Sequence, residues 1–250
     1  MFMKAVAFIP ARSGSKRIPD KNIIPLAGHP MLAYTVQAAI DSEIFDSVIC
    51  ATDSDLYAAI AMHYGAEVPF LRSADISADK SADIEWVLWA LQQLDAVGRQ
   101  YETFSILRPT NPFRLASTIR RAWEAFKADP KADSLRAVEK CKQHPGKMWM
   151  VRRGRMLPIL PFSINETPWH SSQYASLPDV YLQNASLEIA WTQTVLQRGS
   201  IAGEAVIPFI SDGFEGFDIN EPDDLILAEN YLAKGRANLP KINTRSFYER

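Results

Sequence analysis

The stretch FIPARSGSKRIPDKN, residues 8–22, leaves a buried apolar run and turns basic within a few residues. Phe8 and Ile9 close the segment KAVAFI (4–9), a continuous apolar run of the kind that a parallel strand covered on both faces requires. Beyond Pro10 come Arg12, Gly14, Lys16, Arg17 and Lys21, with Asp20 the single acid among them. Ala11, Ser13, Gly14 and Ser15 are small enough for backbone N–H groups to converge on an anion, and Arg12, Lys16 and Lys21 add positive charge. The spacing matches neither GxxxxGK[ST] nor GxGxxG, so this is no ordinary P-loop and no dinucleotide fingerprint. A solvated basic loop is the plainer alternative. Its place at the end of a first buried strand, where open α/β sheets bind ligands, favours a phosphate cradle.

Outward from this loop, strand-like and helix-like segments alternate. PMLAYTVQAAI (30–40) sets Leu32, Val36, Ala39 and Ile40 on one helical stripe behind Pro30. SVICAT (47–52) reads as a strand, followed by a helix through Ala61 capped by Asp53 or Ser54. AEVPF (66–70) reads as a short strand, SADIEWVLWALQQL (81–94) as a helix, FSIL (104–107) as a buried strand and LASTIRRAWEAF (115–126) as a helix. The alternation predicts an α/β fold with a doubly wound, mostly parallel sheet.

From Glu139 the rhythm breaks. A hairpin signal at Arg153-Gly154-Arg155 precedes INETPWHSSQYASLPD, which is rich in turn residues and aromatics. YLQNASLEIAW (181–191) and EAVIPF (204–209) then read as strands, and EPDDLILAENYLA (221–233) as a helix opened by acids and Pro222. The expected organisation is a core at 1–138, an excursion at 139–180 and a returning core at 181–250.

The 250 residues are 47% hydrophobic and 22% charged, enough to bury a core, and the formal net charge of -2 leaves no general basic field for nucleic acid. Any anion site must be local. No apolar run approaches bilayer length, and Arg12 interrupts the N-terminal run before it could serve as a secretory signal. Cys50 and Cys141 lack metal-type spacing and suit a reducing compartment. These features predict a soluble, cytoplasmic protein with neither nucleic-acid nor membrane partners.

IPARSGSKRIPDKN is similar to the opening signature of the N-acylneuraminate cytidylyltransferase family. GHPMLAYTVQAA, VICATDSD, GAEVPFLR, LRPTNPFR and FDINEPDD resemble its later motifs in the same order, from about residue 5 to residue 230. The resemblance implies a Rossmann-like nucleotidyltransferase with a small dimerisation excursion, acting on CTP and an acidic sugar of the 2-keto-3-deoxy type. It implies Arg12, Lys16 and Lys21 as catalytic phosphate ligands, with Ser15 and Asn22 beside them. Arg72 and Ser81 match its nucleoside contacts, with Asp79 and Lys80 close by; Ser81 also reads as a helix N-cap.

The family's aspartate pair for Mg²⁺ corresponds to Asp218 and Asn220, and the amide contributes no formal charge, which implies a site weaker or completed by phosphates. Asp223 and Asp224 read better as first-turn acids. Arg108 replaces a common glutamine, as either an anion ligand for the acceptor or a structural clamp. Lys147, Gln183 and Asn184 match the sugar side, whereas His144 reads as a turn residue. Trp149, Trp169, Tyr174 and Tyr181 suit interface or core packing better than pocket walls, and the resemblance implies a homodimer. The departures at Arg108 and Asn220 keep open a sugar-1-phosphate nucleotidyltransferase using CTP or GTP. A non-catalytic nucleotide-binding protein is the third reading.

Overall fold

A computed structural model describes residues 3–78 and 81–249. Asp79 and Lys80, expected near the nucleoside, lie outside the described residues. Strand β1 (Ala5–Pro10) is followed by helix α1 (Met31–Asp41), β2 (Ser47–Ala51), α2 (Asp55–His63), α3 (Asp83–Ala96), β3 (Thr103–Leu107) and α4 (Ala116–Ala128). Then come β4 (Ser134–Lys140), the hairpin β5 (Trp149–Arg152) and β6 (Arg155–Pro158), β7 (Tyr181–Trp191), α5 (Thr192–Arg198), β8 (Val206–Ile210) and α6 (Pro222–Ala233). Six strands form the main sheet in the order β8-β4-β7-β3-β1-β2. β1 runs parallel to β2 and β3, and β8 parallel to β4, while β7 is antiparallel to both neighbours. The doubly wound, mostly parallel sheet of the sequence reading is present.

β2 and β3 are buried throughout, and β1 up to Pro10, because helices cover both faces. On one face Leu32 and Val36 of α1, Tyr57 and Ile60 of α2, and Ile119, Trp123 and Phe126 of α4 pack against Ala5, Ala7 and Ile9. On the other, Trp86, Val87 and Leu91 of α3 and Val195 of α5 pack against Val6, Phe8 and Phe104. α4 shows the cause plainly. Ile119, Ala122, Trp123 and Phe126 recur at helical spacing and are buried, while Arg120, Arg121 and Glu124 face water. Among the described residues, no helix is long and apolar enough to cross a membrane.

Three local expectations change. AEVPF forms only a single parallel bridge, Ile49 to Glu67, because Pro69 has no N–H to continue a ladder. α3 begins at Asp83 with Ala82 in the cap position; Ser81 instead donates its hydroxyl to the Asp75 carbonyl at 2.8 Å. β4, SLRAVEK, was not anticipated as a strand, since Arg136 and Glu139 interrupt its apolar pattern. Ser54 does cap α2, and Asp223 and Asp224 do fall in the first turn of α6, where Asp224 and Glu221 form a reciprocal capping box. The hairpin signal also holds: Arg153 and Gly154 have φ of 49° and 73°, the left-handed pair that a tight two-residue turn demands.

Candidate active site

The carboxyl ends of β1 and β3 open into a cleft of about 530 Å³. Its wall includes Arg12, Ser15, Lys16, Lys21 and Asn22, all from the loop after β1. That loop is held open toward the cleft by contacts on its far side. Ser13 donates its backbone N–H and its hydroxyl to Asp53, at 2.8 and 3.2 Å, tying the loop to the end of β2. Asn22 is buried and donates its amide to the Arg12 carbonyl at 3.0 Å, closing the loop on itself. Asp20 takes the left-handed φ of 52° and accepts the Tyr57 hydroxyl at 2.9 Å. The cationic side chains thus share one cavity because the backbone beneath them is pinned.

Arg72, Ser81, Asp83 and Trp86 form a second wall. The Arg72 guanidinium lies 5.2 Å from the centre of the Trp86 ring and donates to the Ile76 carbonyl, while its Nε is buried without a partner. Burial lowers the Arg72 pKa, with Asp53 and Asp83 opposing the shift. Arg12 donates to the Ser77 carbonyl at 3.3 Å, which joins the two walls.

Asp218 and Asn220 close the cleft from the segment before α6. Several bonds place them: Asn111 donates to the Phe217 carbonyl at 3.1 Å, Ile219 N–H to Thr110 at 2.9 Å, and Ser186 to Glu215 at 2.9 Å. Lys21 Nζ donates to Asn220 Oδ1 at 3.0 Å, and Asn220 Nδ2 donates to Asp218 Oδ2 at 2.6 Å. Burial lowers the Lys21 pKa, opposed chiefly by Asp218.

Asp218 Oδ1 is buried with no hydrogen-bond partner, an acceptor costly to leave bare and suited to a hard divalent cation. Asn220 has both amide atoms engaged, so one carboxylate oxygen is what this wall offers a metal. No group of three or more His, Cys, Asp or Glu residues could hold a metal ion among the described residues. The donors fit Mg²⁺ only if phosphate and water oxygens complete its shell.

Behind these walls runs a chain of charges that was only partly legible in the sequence. Arg108 lines the cleft and pairs with Asp83, and it reaches Glu188 Oε1 at 3.5 Å. Glu188 is 2% exposed and also pairs with Arg136. Burial works against the charge on Arg108, but Asp83 and Glu188 outweigh it and raise its pKa. Burial likewise pushes Asp83 upward, yet Arg108 holds it below the usual carboxylate range. Glu188 stays raised, burial exceeding the pull of its two arginines. Arg108 therefore has the contacts of a clamp while facing the cavity.

Arg114 is fully buried and makes no ion pair among the described residues. It donates to Thr35 Oγ1 at 2.9 Å, to the Arg108 carbonyl at 3.1 Å and to the Ser186 carbonyl, joining α1, the turn after β3 and β7. Burial pulls its pKa down to about 9, with Asp218 opposing the shift, which leaves it charged at neutral pH.

The structure does not bring the other sugar-side candidates to this cleft. Lys147 donates to the carbonyls of His170 and Ser172 within the excursion. Gln183 is exposed and pairs with Val138. Asn184 is buried and donates to Ser211 Oγ at 2.8 Å. Ala185 lines the wall instead, at φ 55° in the irregularity between Gln183 and Glu188. His144 accepts from Gly146 N–H and contacts the Pro178 carbonyl, each at 3.0 Å, as a turn residue would. Asp53, Asp83 and Thr110 join the site with no sequence signal beyond the helix-start position of the first.

A family model described as cytidylyltransferase matches residues 6–148. CMP-N,N'-diacetyllegionaminic acid synthase of Legionella pneumophila is 33% identical over 242 residues, covering 92% of this chain and 97% of that protein. N-acylneuraminate cytidylyltransferase of Escherichia coli is 32% identical over 91% of this chain, which spans 52% of that longer protein. In fold, CMP:2-keto-3-deoxy-manno-octonic acid synthetase complexed with CTP is similar at a TM-score of 0.67 and 15% identity, over 93% of this chain and 99% of that one. A loop of converging cations, an orphaned carboxylate oxygen opposite it and these relatives agree: the chain belongs to the cytidylyltransferase family, the nucleotidyltransferase enzymes whose members include the N-acylneuraminate cytidylyltransferases.

Proposed function

We propose that this chain transfers CMP from CTP to a 2-keto-3-deoxy sugar acid and releases pyrophosphate. The observation that carries the reading is the convergence of Arg12, Lys16 and Lys21 with Asp218 on one cleft. In the reaction an acceptor hydroxyl forms a bond to the α-phosphorus, and the bond from that phosphorus to the bridging oxygen breaks. Negative charge grows on the departing pyrophosphate, where fixed cations stabilise it more than they stabilise the ground state. Arg12, Lys16 and Lys21 are assigned that role, with Ser15 and Asn22 shaping the loop. Arg72 and Ser81 are assigned to the nucleoside, and Arg108 to the acceptor side.

Asp218 is the proposed Mg²⁺ ligand, and the ion would supply charge neutralisation for the triphosphate when bound. Asn220 is assigned to hold Asp218 and Lys21 in register. We assign the excursion to homodimer formation, because Met150, Val151, Met156, Leu157 and Phe162 are exposed on it, apolar side chains that a partner surface would cover. A cytoplasmic location accords with two free cysteines.

The test is a pyrophosphate-release screen of four nucleoside triphosphates against sugar acids and sugar 1-phosphates. Turnover with CTP and a 2-keto-3-deoxy sugar acid is expected. Turnover confined to a sugar phosphate would replace this reading with a sugar-1-phosphate one, and nucleotide binding without any release would remove catalysis.

A further inference from the structure

The anion-binding loop is fastened from behind by a distant part of the chain. Tyr248 donates its hydroxyl to the carbonyl of Ile23. Ile23 ends the 3-10 turn Lys21–Ile23, whose last carbonyls have no partner within the turn itself. The hydroxyl thus completes the turn that carries Lys21, a residue of the cleft wall.

Tyr248 is in turn held by its own neighbours, independently of the loop. Ser246 donates to the Gly28 carbonyl at 2.7 Å, and Phe247 N–H donates to the Tyr64 hydroxyl at 3.0 Å. His63 Nε2 contacts the Arg245 carbonyl at 2.8 Å, and the His63 and Phe247 rings meet edge to face, 5.5 Å between centres. Phe247 and Ile242 pack on the core cluster that holds α1 and α2. The segment is therefore seated on rigid elements, and only then reaches the loop.

On the other side, Tyr57 from α2 holds Asp20 at 2.9 Å. Lys21 and Asn22 lie between two tyrosine-fastened points, Asp20 and Ile23. A side chain projecting from such a span loses little freedom when it meets its ligand, whereas one on an unfastened loop must be ordered at the moment of binding.

We propose that Tyr248 is a positioning residue for nucleotide binding, acting through the Ile23 carbonyl to hold Lys21 and Asn22 in the geometry that receives phosphate. The proposal rests on the reading of this cleft as a nucleotide site, and it adds a residue that touches neither substrate. The bond to the turn is made by the hydroxyl, so Tyr248→Phe removes it while keeping the ring.

The experiment compares the full chain with Tyr248→Phe and Ser246→Ala. In the ligand-free proteins, amide exchange is followed across residues 12–23. Tyr248→Phe should speed exchange at residues 20–24 while leaving β1 and α1 protected. In turnover, the KM for CTP should rise about fivefold, the worth of one net hydrogen bond, with kcat and the sugar-acid KM within twofold of the full chain. Ser246→Ala, which loosens the segment without touching Ile23, should move both readouts the same way and less. Wild-type exchange in the loop of Tyr248→Phe overturns the proposal, even if its melting temperature falls. So does a loss confined to kcat. If the unaltered chain bound no CTP, the nucleotide reading would fall by itself, and the exchange comparison would still decide whether Tyr248 holds the loop.

Discussion

The loop at residues 11–22 and the excursion at 139–180 both interrupt the regular α/β alternation, and both carry cations among turn residues. Their side chains end differently. In the loop, Lys16 and Lys21 reach a cleft whose other walls hold buried polar atoms lacking partners, Asp218 Oδ1 and Arg72 Nε. In the excursion, Lys147 is engaged by two carbonyls and His144 by Pro178 and Gly146, while Met150, Val151, Met156, Leu157 and Phe162 are exposed. A count of basic residues does not separate the two. The separation comes from whether polar groups remain available to a shared cavity, since a buried unpaired acceptor or donor is stabilised only when something arrives to satisfy it. One region turns cations and unpaired polar atoms toward a cavity, and the other turns apolar side chains toward water.

The strongest way to break this contrast is to remove a cation from each side. Arg12→Ala should lower kcat/KM for CTP by about 10²–10³, the scale of losing an oriented charge at a phosphoryl centre, with the fold intact by circular dichroism. Lys147→Ala should cost far less in the same assay. Comparable losses would mean that the excursion belongs to the site after all. Next in size is Arg114→Leu. The substitution removes a buried charge and takes a donor from the Ser186 and Arg108 carbonyls and the Thr35 hydroxyl, of which the last two keep a 3.4 Å bond to each other. Urea titration should show a loss of about 2–4 kcal/mol, and Arg114→Lys a smaller one, because Lys can keep some of those acceptors. An unchanged midpoint for Arg114→Leu would show that α1, the turn after β3 and β7 need no central tie.

The core was legible because β1, β2 and β3 are covered on both faces, so burial is written into consecutive residues. β4 was not, because Arg136 sits in it to meet Glu188 across the sheet, a partner 52 positions away. The cationic loop was legible for the opposite reason: its charges and small residues are contiguous. Its partners were harder. Lys21 meets Asn220 across 199 positions, and resemblance to a family motif, rather than any spacing, drew attention to Asn220. Gln183 and Asn184 show the limit of alignment by motif. The irregularity before Glu188 turns Ala185 to the cleft and Asn184 toward Ser211, and one residue of register is enough to exchange the faces of a strand. Gly216 passes so close to Asn184 that a Cβ there would lie 2.2 Å from its amide nitrogen, which fixes Asn184 in that buried position.

The apolar side of the contrast is sharpened by Leu157→Asp. Leu157 is half exposed on the hairpin strand β6, away from the cleft wall. Sedimentation should show the proposed dimer weakened by about tenfold or more, since a charge at the centre of an apolar contact must be desolvated unpaired. CTP affinity per chain should stay within about twofold, because no cleft residue is altered. An unaltered association constant would remove the hairpin from the interface.

The smallest expected effect concerns acid stability on the cleft side. Arg108 holds Asp83 below its ordinary range even though burial pushes the other way. A carboxyl whose folded pKa is depressed stabilises the fold above its unfolded value, about 3.9, and that contribution is lost as pH falls through the folded value. The Asp83 side chain is 36% exposed, so solvent screening limits the contribution to about 1 kcal/mol or less. Wild type minus Asp83→Asn should therefore give a stability difference that is constant near neutrality and shrinks below about pH 4. Glu188 contributes in the opposite sense, because burial raises its pKa and favours the protonated form in the fold. Subtracting the single variant cancels that background, except where the two carboxylates couple, directly or through Arg108. Repeating the subtraction in Arg108→Gln removes the strongest opposition to burial, and the pH dependence of the Asp83 difference should then shrink, because only the weaker pulls of the Trp86 indole and Arg72 would be left against burial. A difference that kept its full acid limb without Arg108 would mean that the Trp86 indole, which donates to Asp83 at 2.8 Å, and the Arg72 charge are what hold it ionised.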